Sequence, residues 1–328
     1  MISLIAILNL KKRLDHIRPI DHDILKNLAE WYKVELTYSS NAIEGNTLTR
    51  QETAIIVEKG LTIEGKTITE HLEAINHARA WDYIVSLQQK NRNNISEKTV
   101  REIHSQILQN IDNLNAGSYR HVPVRIAGSH VIMPNPQKVP FYMTEFITWL
   151  HNSEENIVDI AIQAHLKLVT IHPFTDGNGR TARLLMNLIL MQAGYPPTII
   201  QKEERSKYLA SIEKAQLERD LSDYIPFMYN CVERSLRIYL DSITPQIDRV
   251  EDKSLTGTLL KIGALAKEVG ESVPTIRYWT QQGLLSIAKY TSGGYQLYKP
   301  NMIDRVKKIR KLQQEKRLTI EELKKVMI

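Results

Sequence analysis

The stretch His172-Pro173-Phe174-Thr175-Asp176-Gly177-Asn178-Gly179-Arg180-Thr181-Ala182-Arg183 decides how this chain is read. An apolar helical run, Ile160 to Ile171, leads into it, and another, Leu184 to Met191, leads out. It is therefore a loop between two helices, and its glycines open the second one. Gly177 and Gly179 let the backbone approach a ligand closely and tolerate positive φ. Free N–H groups at a helix start attract an anion, helped by the helix dipole. Arg180 and Arg183 lie one turn apart and share a helix face. Two guanidinium forks beside an amide nest suit a polyphosphate. Asp176 is a hard oxygen ligand suited to Mg²⁺ beside such a phosphate. His172, at the loop mouth, is a titratable group suited to take a proton from an attacking hydroxyl. A Gly-Asn-Gly turn alone is usually a turn, and a lone His is more often structural than catalytic. It is the convergence of these types in one loop that points to a site.

The stretch resembles the signature of the Fic family, His-x-Phe-x-Asp/Glu-Gly-Asn-Gly-Arg-x-x-Arg, and matches every specified position. The resemblance implies transfer of AMP from Mg·ATP to a Tyr, Thr or Ser hydroxyl of a target protein or of the chain itself. It implies His172 as the base and Asp176 as the Mg²⁺ ligand. Gly177, Asn178, Gly179, Arg180 and Arg183 would hold ATP. Upstream, Ser40-x-x-x-Glu44-Gly45 matches the family's autoinhibitory motif, Ser/Thr-x-x-x-Glu-Gly/Asn. By itself that pattern is only a helix end with polar residues in solvent. The resemblance implies that Glu44 pairs with Arg183, repels the γ-phosphate and leaves the α-phosphate misplaced. A pair of this kind is costly to break from one side, so a partner, ligand or change of oligomer would act as the release.

Composition excludes several classes. Of 328 residues, 42% are hydrophobic and 24% charged, as in ordinary globular proteins. Cys231 is the only cysteine, so no internal disulfide forms, which fits a cytoplasmic chain. No basic residue precedes the apolar Met1 to Leu10 run, and no apolar stretch reaches membrane-spanning length, so neither a signal peptide nor a membrane partner is expected. Charge is unevenly placed. From Gly257 onward there are 14 basic and 6 acidic residues, a net +8, against 29 and 31 in the remainder, a net −2. An anionic partner for the C-terminal segment follows from that asymmetry; the plainer reading is a solvated basic surface.

Apolar residues at helical spacing continue through most of the first 240 positions. A helix is expected to start near Ile24, preceded by Asp21 or His22, and Gly45 is a stop signal. Ser96 is expected to cap a helix without a capping box, because Thr99 rather than Glu or Gln stands three residues on. Residues Tyr119 to Met133 alternate around Ala127-Gly128-Ser129 and read as a β-hairpin. In the Fic family a hairpin here is the flap that docks a target segment by strand addition. His165 has no third ligand spaced to join it and His172 in a metal site, so it reads as a core residue. Tyr208 stands where the family has a Tyr that can line the adenine pocket; simple packing is the alternative.

The segment Ile262 to Trp279 reads helix, turn at Gly270, helix capped by Ser272 with Pro274 in its first turn: a helix-turn-helix. Tyr290 to Tyr298 reads as a wing. This resembles the DNA-binding domain of MerR-type regulators. The resemblance implies major-groove contacts from Thr275, Arg277 and Tyr278, with the wing, including Tyr295, on the phosphate backbone. Gln296 stands where that family usually has Arg, and the chain stops before the helix that dimerises those regulators. A homodimer, if formed, would come from the catalytic region.

The expected fold is mainly α: a Fic-type helical domain with a β-hairpin flap, plus a small C-terminal winged helix-turn-helix domain. The expected boundaries are an N-terminal helical region with the inhibitory motif at 1–95, a catalytic core at 96–243, a linker at 244–258 and the helix-turn-helix at 259–328. A second reading makes the chain a DNA-binding regulator that uses the Fic domain as a sensor. A third has the same site remove AMP or transfer another nucleotide.

Overall fold

The computed structural model describes residues 3–243, 259–290, 296–316 and 320–326. It is mainly helical. Two compact units divide the chain, 1–242 and 243–328. The expected linker, 244–258, lies outside the described residues.

The first unit holds α1 (Leu4–Ile17), α2 (His22–Ile43), α3 (Arg50–Lys59), α4 (Ile68–Ser86), α5 (Glu97–Leu108), α6 (Val139–Asn152), α7 (Ile157–Ile171), α8 (Asn178–Gln192), α9 (Arg205–Glu218) and α10 (Tyr224–Ile243). Helices α7 and α8 pack on each other, and α2, α4 and α5 pack against α8. The N-terminal helices and the signature helices thus share one core. From Asn178 to Met191, α8 is buried apart from Gly179. Its second half, Leu184 to Met191, is almost wholly apolar and belongs inside, and α8 carries the signature arginines inside with it.

Local chemistry sets the helix starts. The Asp21 carboxylate accepts the N–H groups of Asp23 and Ile24, so α2 begins earlier than its apolar pattern. Thr49 with Glu52 and Thr67 with Glu70 close reciprocal capping boxes on α3 and α4. Ser96 does the same on α5, contrary to expectation: the Thr99 hydroxyl accepts the Ser96 N–H at 3.2 Å. A threonine hydroxyl reaches the N-cap amide as a Glu carboxylate would.

The expected β-hairpin is not a ladder. Residues 118–133 form no strand; the chain turns at Ala127–Gly128, where the Ser129 N–H reaches the Ile126 carbonyl at 3.1 Å. Alternation suggests two strands, but pairing requires facing backbone groups. Here the turn is held from outside instead, by Glu213 of α9. Its carboxylate accepts the Ser129 hydroxyl at 2.9 Å and the His130 N–H at 2.8 Å.

The second unit has helices α11 (Ile262–Val269), α12 (Val273–Gln281), α13 (Met302–Lys316) and α14 (Ile320–Val326). Strands β1 (Leu260–Lys261), β2 (Lys289–Tyr290) and β3 (Gln296–Tyr298) form an antiparallel sheet with β3 central. Leu260 faces Tyr298 and Lys289 faces Leu297. Gly270 turns α11 into α12 at φ 69°, and the Ser272 hydroxyl caps α12 through the Thr275 N–H. Leu265, Ile276, Trp279, Tyr298 and Ile309 make its core.

Candidate active site

The loop at the end of α7 is built to present an imidazole. His172 takes the left-handed conformation, φ 50° and ψ 59°, and its N–H closes the helix on Leu168 at 2.9 Å. That region is costly for a residue with a side chain and persists only where its surroundings impose it. The Nδ1 atom lies 3.3 Å from the Val169 carbonyl, so it carries the proton and Nε2 keeps its lone pair. Burial is the largest influence on His172 and holds its pKa below the usual imidazole range. The Val169 carbonyl, Glu44 and Asp176 oppose that shift, and Arg120 adds to it.

Asn178 closes the loop on itself. Its amide oxygen accepts the Phe174 N–H and its amide nitrogen donates to the Phe174 carbonyl, both at 2.9 Å. The Asn178 side chain thus shapes the loop. Gly177 caps α8 at φ 73°. A Cβ there would stand 3.2 Å from the His104 ring, and one at Gly179 would collide with Glu44 Oε1. His104 of α5 was not among the sequence candidates. It stacks on Phe174 at 3.6 Å, accepts the Gly117 N–H on Nδ1 and donates from Nε2 to the Asp176 carbonyl. Burial pulls its pKa down to about 4, so it supports the loop as a neutral ring.

Both signature arginines are buried and both are engaged. Arg183, 6% exposed, donates from Nε to the Ser40 hydroxyl at 2.9 Å and from Nη2 to the Ser40 carbonyl at 3.0 Å. Nη2 also meets Glu44 Oε1 at 2.6 Å. Ser40 and Glu44 stand one turn apart at the end of α2, and Gly45, φ 105°, takes the chain away after them. Arg180, 2% exposed, is clamped by Glu73 of α4 at 2.8 Å and by Asp176 at 3.2 Å. Sequence reasoning missed Glu73, which α4 brings in from 107 positions away. It also accepts from Asn46 at 2.8 Å, just past the α2 end. Arg180 Nε and the Thr175 hydroxyl are buried with no hydrogen-bond partner among the described residues. Asp176 is mostly exposed.

Tyr208 does not wall an open pocket. It is 1% exposed, and its hydroxyl lies 2.7 Å from His165 Nε2. The other ring nitrogen of His165 meets the Tyr224 hydroxyl at 2.7 Å. His165 is a core residue held neutral, its pKa pulled to about 3 first by burial and then by Arg183.

Residues 94–190 match the profile of the Fic/DOC family, and residues 260–327 match that of MerR HTH family regulatory proteins. A solved structure of residues 134–508 of Fic-1 from C. elegans is 34% identical, with 73% of this chain covering 72% of that one at a TM-score of 0.65. The chain belongs to the Fic family. A Fic domain containing signaling protein from Bacteroides thetaiotaomicron is 28% identical, covered over 98% of its length, with a TM-score of 0.66. Protein adenylyltransferase Fic of Aedes aegypti is 38% identical over 219 residues, 66% of this chain and 43% of that protein. The Drosophila melanogaster protein of the same name is 42% identical over 207 residues, 62% of this chain and 41% of that one. The chain thus spans less than half the length of these curated Fic relatives.

In the second unit, Arg277 and Tyr278 are exposed on α12, Tyr278 by 47%. Thr275 is half-buried, and its hydroxyl lies 2.8 Å from that of Ser272, within the cap. The Gln296 amide oxygen accepts from the Tyr298 hydroxyl at 2.6 Å. Tyr295 lies outside the described residues. No described helix is long and apolar enough to cross a membrane.

Proposed function

We propose that this chain is an autoinhibited protein adenylyltransferase whose C-terminal unit binds DNA. The observation that carries the reading is the pairing of a complete anion site with a carboxylate already on its arginine: Glu44 on Arg183 at 2.6 Å, beside Gly179. The curated relatives named protein adenylyltransferase support the chemistry.

The reaction moves AMP from ATP to a Tyr, Thr or Ser hydroxyl. His172 Nε2 takes the hydroxyl proton as the oxygen attacks the α-phosphorus; the α–β bridging bond breaks and pyrophosphate leaves. Loop amides from Gly177 and Gly179, with Arg180 and Arg183, oppose the charge on the phosphates. Asp176 is exposed and single, with no described group of three or more His, Cys, Asp or Glu side chains that could hold a metal alone. That suits Mg²⁺, which keeps waters and shares ligands with substrate phosphates. The ion would neutralise phosphate charge.

Inhibition is electrostatic. Glu44, Glu73 and Asp176 give the site three negative charges against two arginines. Until Glu44 withdraws, the γ-phosphate has no free fork at Arg183. In the second unit, Arg277 and Tyr278 with the net +8 segment favour DNA as the partner. A homodimer through the helical unit belongs to the same reading.

The test uses purified full-length protein carrying Glu44→Gly with Mg²⁺ and ATP labelled at the α- or the γ-phosphate. Label on protein from α-labelled ATP alone is expected. Label from the γ-position would make the site a kinase, and label from neither would remove the transferase reading.

A further inference from the structure

Arg120 precedes the segment that turns at Ala127–Gly128, and it is 2% exposed. Among the described residues no carboxylate pairs with it. Its guanidinium partners among the described residues are backbone carbonyls. Nε donates to His172 at 2.7 Å, Nη1 to Val122 at 3.2 Å and Nη2 to Pro134 at 2.6 Å. Its own N–H donates to the Pro173 carbonyl at 2.9 Å. Val122 and Pro134 are the two ends of the segment. His172 is the proposed base.

A buried cation satisfied only by dipoles is expensive, and an apolar side chain of similar size would fill the volume more cheaply. What it could not supply is a rigid planar fork that fixes three carbonyls from three stretches of chain at once. We propose that Arg120 is the positioning residue that joins the segment 122–134 to the backbone of His172, so that the segment and the residue carrying the imidazole move as one body. The segment's far end is pinned separately, by Glu213 on Ser129 and His130. A target strand lying along the segment would then bring its hydroxyl to a base whose backbone is held by the same guanidinium. The inference rests on the reading of His172 as the base.

Charge gives a second handle. The groups acting on His172 are Arg120 from the segment before the flap, Glu44 from the end of α2, Asp176 from the signature loop and the Val169 carbonyl of α7. Arg120 is the cation among them.

Arg120→Met and Arg120→Lys in the otherwise native chain test the proposal without needing transfer. Hydrogen exchange is followed in peptides spanning 119–135 and 168–176, with α10 as the folding control. Both peptides are expected to exchange faster together, while α10 is unchanged. Acceleration of only one would overturn the coupling. His172 is titrated by NMR, its resonance assigned by loss in His172→Ala. Its midpoint should rise in Arg120→Met and stay nearer the parent in Arg120→Lys; an unmoved midpoint in a folded Met variant contradicts the proposal. If Arg120→Met does not fold, the Lys variant is read by the same exchange criterion. Added to Glu44→Gly, either change should cut AMP transfer at saturating ATP on the order of tenfold to a hundredfold, the scale of a misplaced reacting group. ATP affinity should stay near that of the parent. If Glu44→Gly itself transfers nothing, the base reading fails, and the exchange data still judge the coupling.

Discussion

Arginine is used in two ways in this chain. Arg180 and Arg183 of the helical unit are 2% and 6% exposed, and each already holds a carboxylate from a distant helix. Arg277 of the second unit stands in solvent on α12. A buried, engaged guanidinium binds a new anion only by exchanging its old one, so its ligand affinity can be gated. An exposed one binds by releasing counterions, so its affinity follows salt rather than a switch. The first arrangement suits a regulated reaction, and the second suits attachment to a polyanion.

The comparison can be broken at several points. The largest effect is expected from His172→Ala, placed on Glu44→Gly: transfer falls roughly 10²–10⁴-fold, the usual worth of a general base, while ATP affinity and melting stay near those of the parent. A rate equal to that of Glu44→Gly would reassign the base. Next comes Glu73→Gln, which leaves buried Arg180 with the exposed Asp176 as its remaining carboxylate. A loss of about 1–3 kcal/mol in urea unfolding is expected, partly recovered by ATP, which supplies the missing anion. Arg277→Ala is the matched control. Its stability should change by less than about 0.5 kcal/mol, while duplex DNA binding weakens and the salt slope falls by about one. If Glu73→Gln is silent in unfolding, the engaged-arginine half of the comparison is wrong; if Arg277→Ala leaves DNA binding unchanged, the exposed half is.

The smallest effect is one of pH. Buried His77, His104 and His165 are held neutral, with pKa values pulled down to about 3, 4 and 3, burial being the first cause in each. A depressed folded-state pKa stabilises above the unfolded value of 6.5 and loses that contribution as pH falls. Unfolding free energy should therefore drop between pH 6.5 and 4, each histidine adding about 1.4 kcal/mol per pH unit to the slope. His104→Asn should flatten the curve, and an equal slope would mean that His104 is charged in the fold. Activity follows the same sign: with the His172 pKa lowered, the acid limb of transfer lies below the usual imidazole range.

What was legible in the sequence follows the range of the interaction. Helix starts at Asp21 and Ser96, the helix-loop-helix around His172 and the α11–turn–α12 pair are set by neighbours, and local pattern names them. Spacing alone did not place Glu44 against Arg183, 139 positions apart; the family resemblance brought that pair into view. Glu73, His104 and Arg120 had no motif to announce them. Their partners lie 107, 72 and 52 positions away, and only the packing of α4 and α5 on α8, and of the flap base on the loop, makes them part of the site. The hairpin expectation failed for a related reason. Alternation suggests strands, whereas pairing depends on what faces them, and here Glu213 and Arg120 take the places of a second strand. Tyr208 likewise sits on a helical face that reads the same whether it meets a ligand or His165.

The central claim is that the site is complete and that Glu44 holds it shut. Wild type and Glu44→Gly, incubated side by side with Mg²⁺ and α-labelled ATP, test it most directly. Release of Arg183 should raise the labelling rate by roughly 5–150-fold, the span of a typical coupling free energy, with unlabelled ATP, rather than CTP, GTP or UTP, as the best competitor. Equal labelling in the two proteins would mean that the Glu44–Arg183 pair is a structural contact and not a switch.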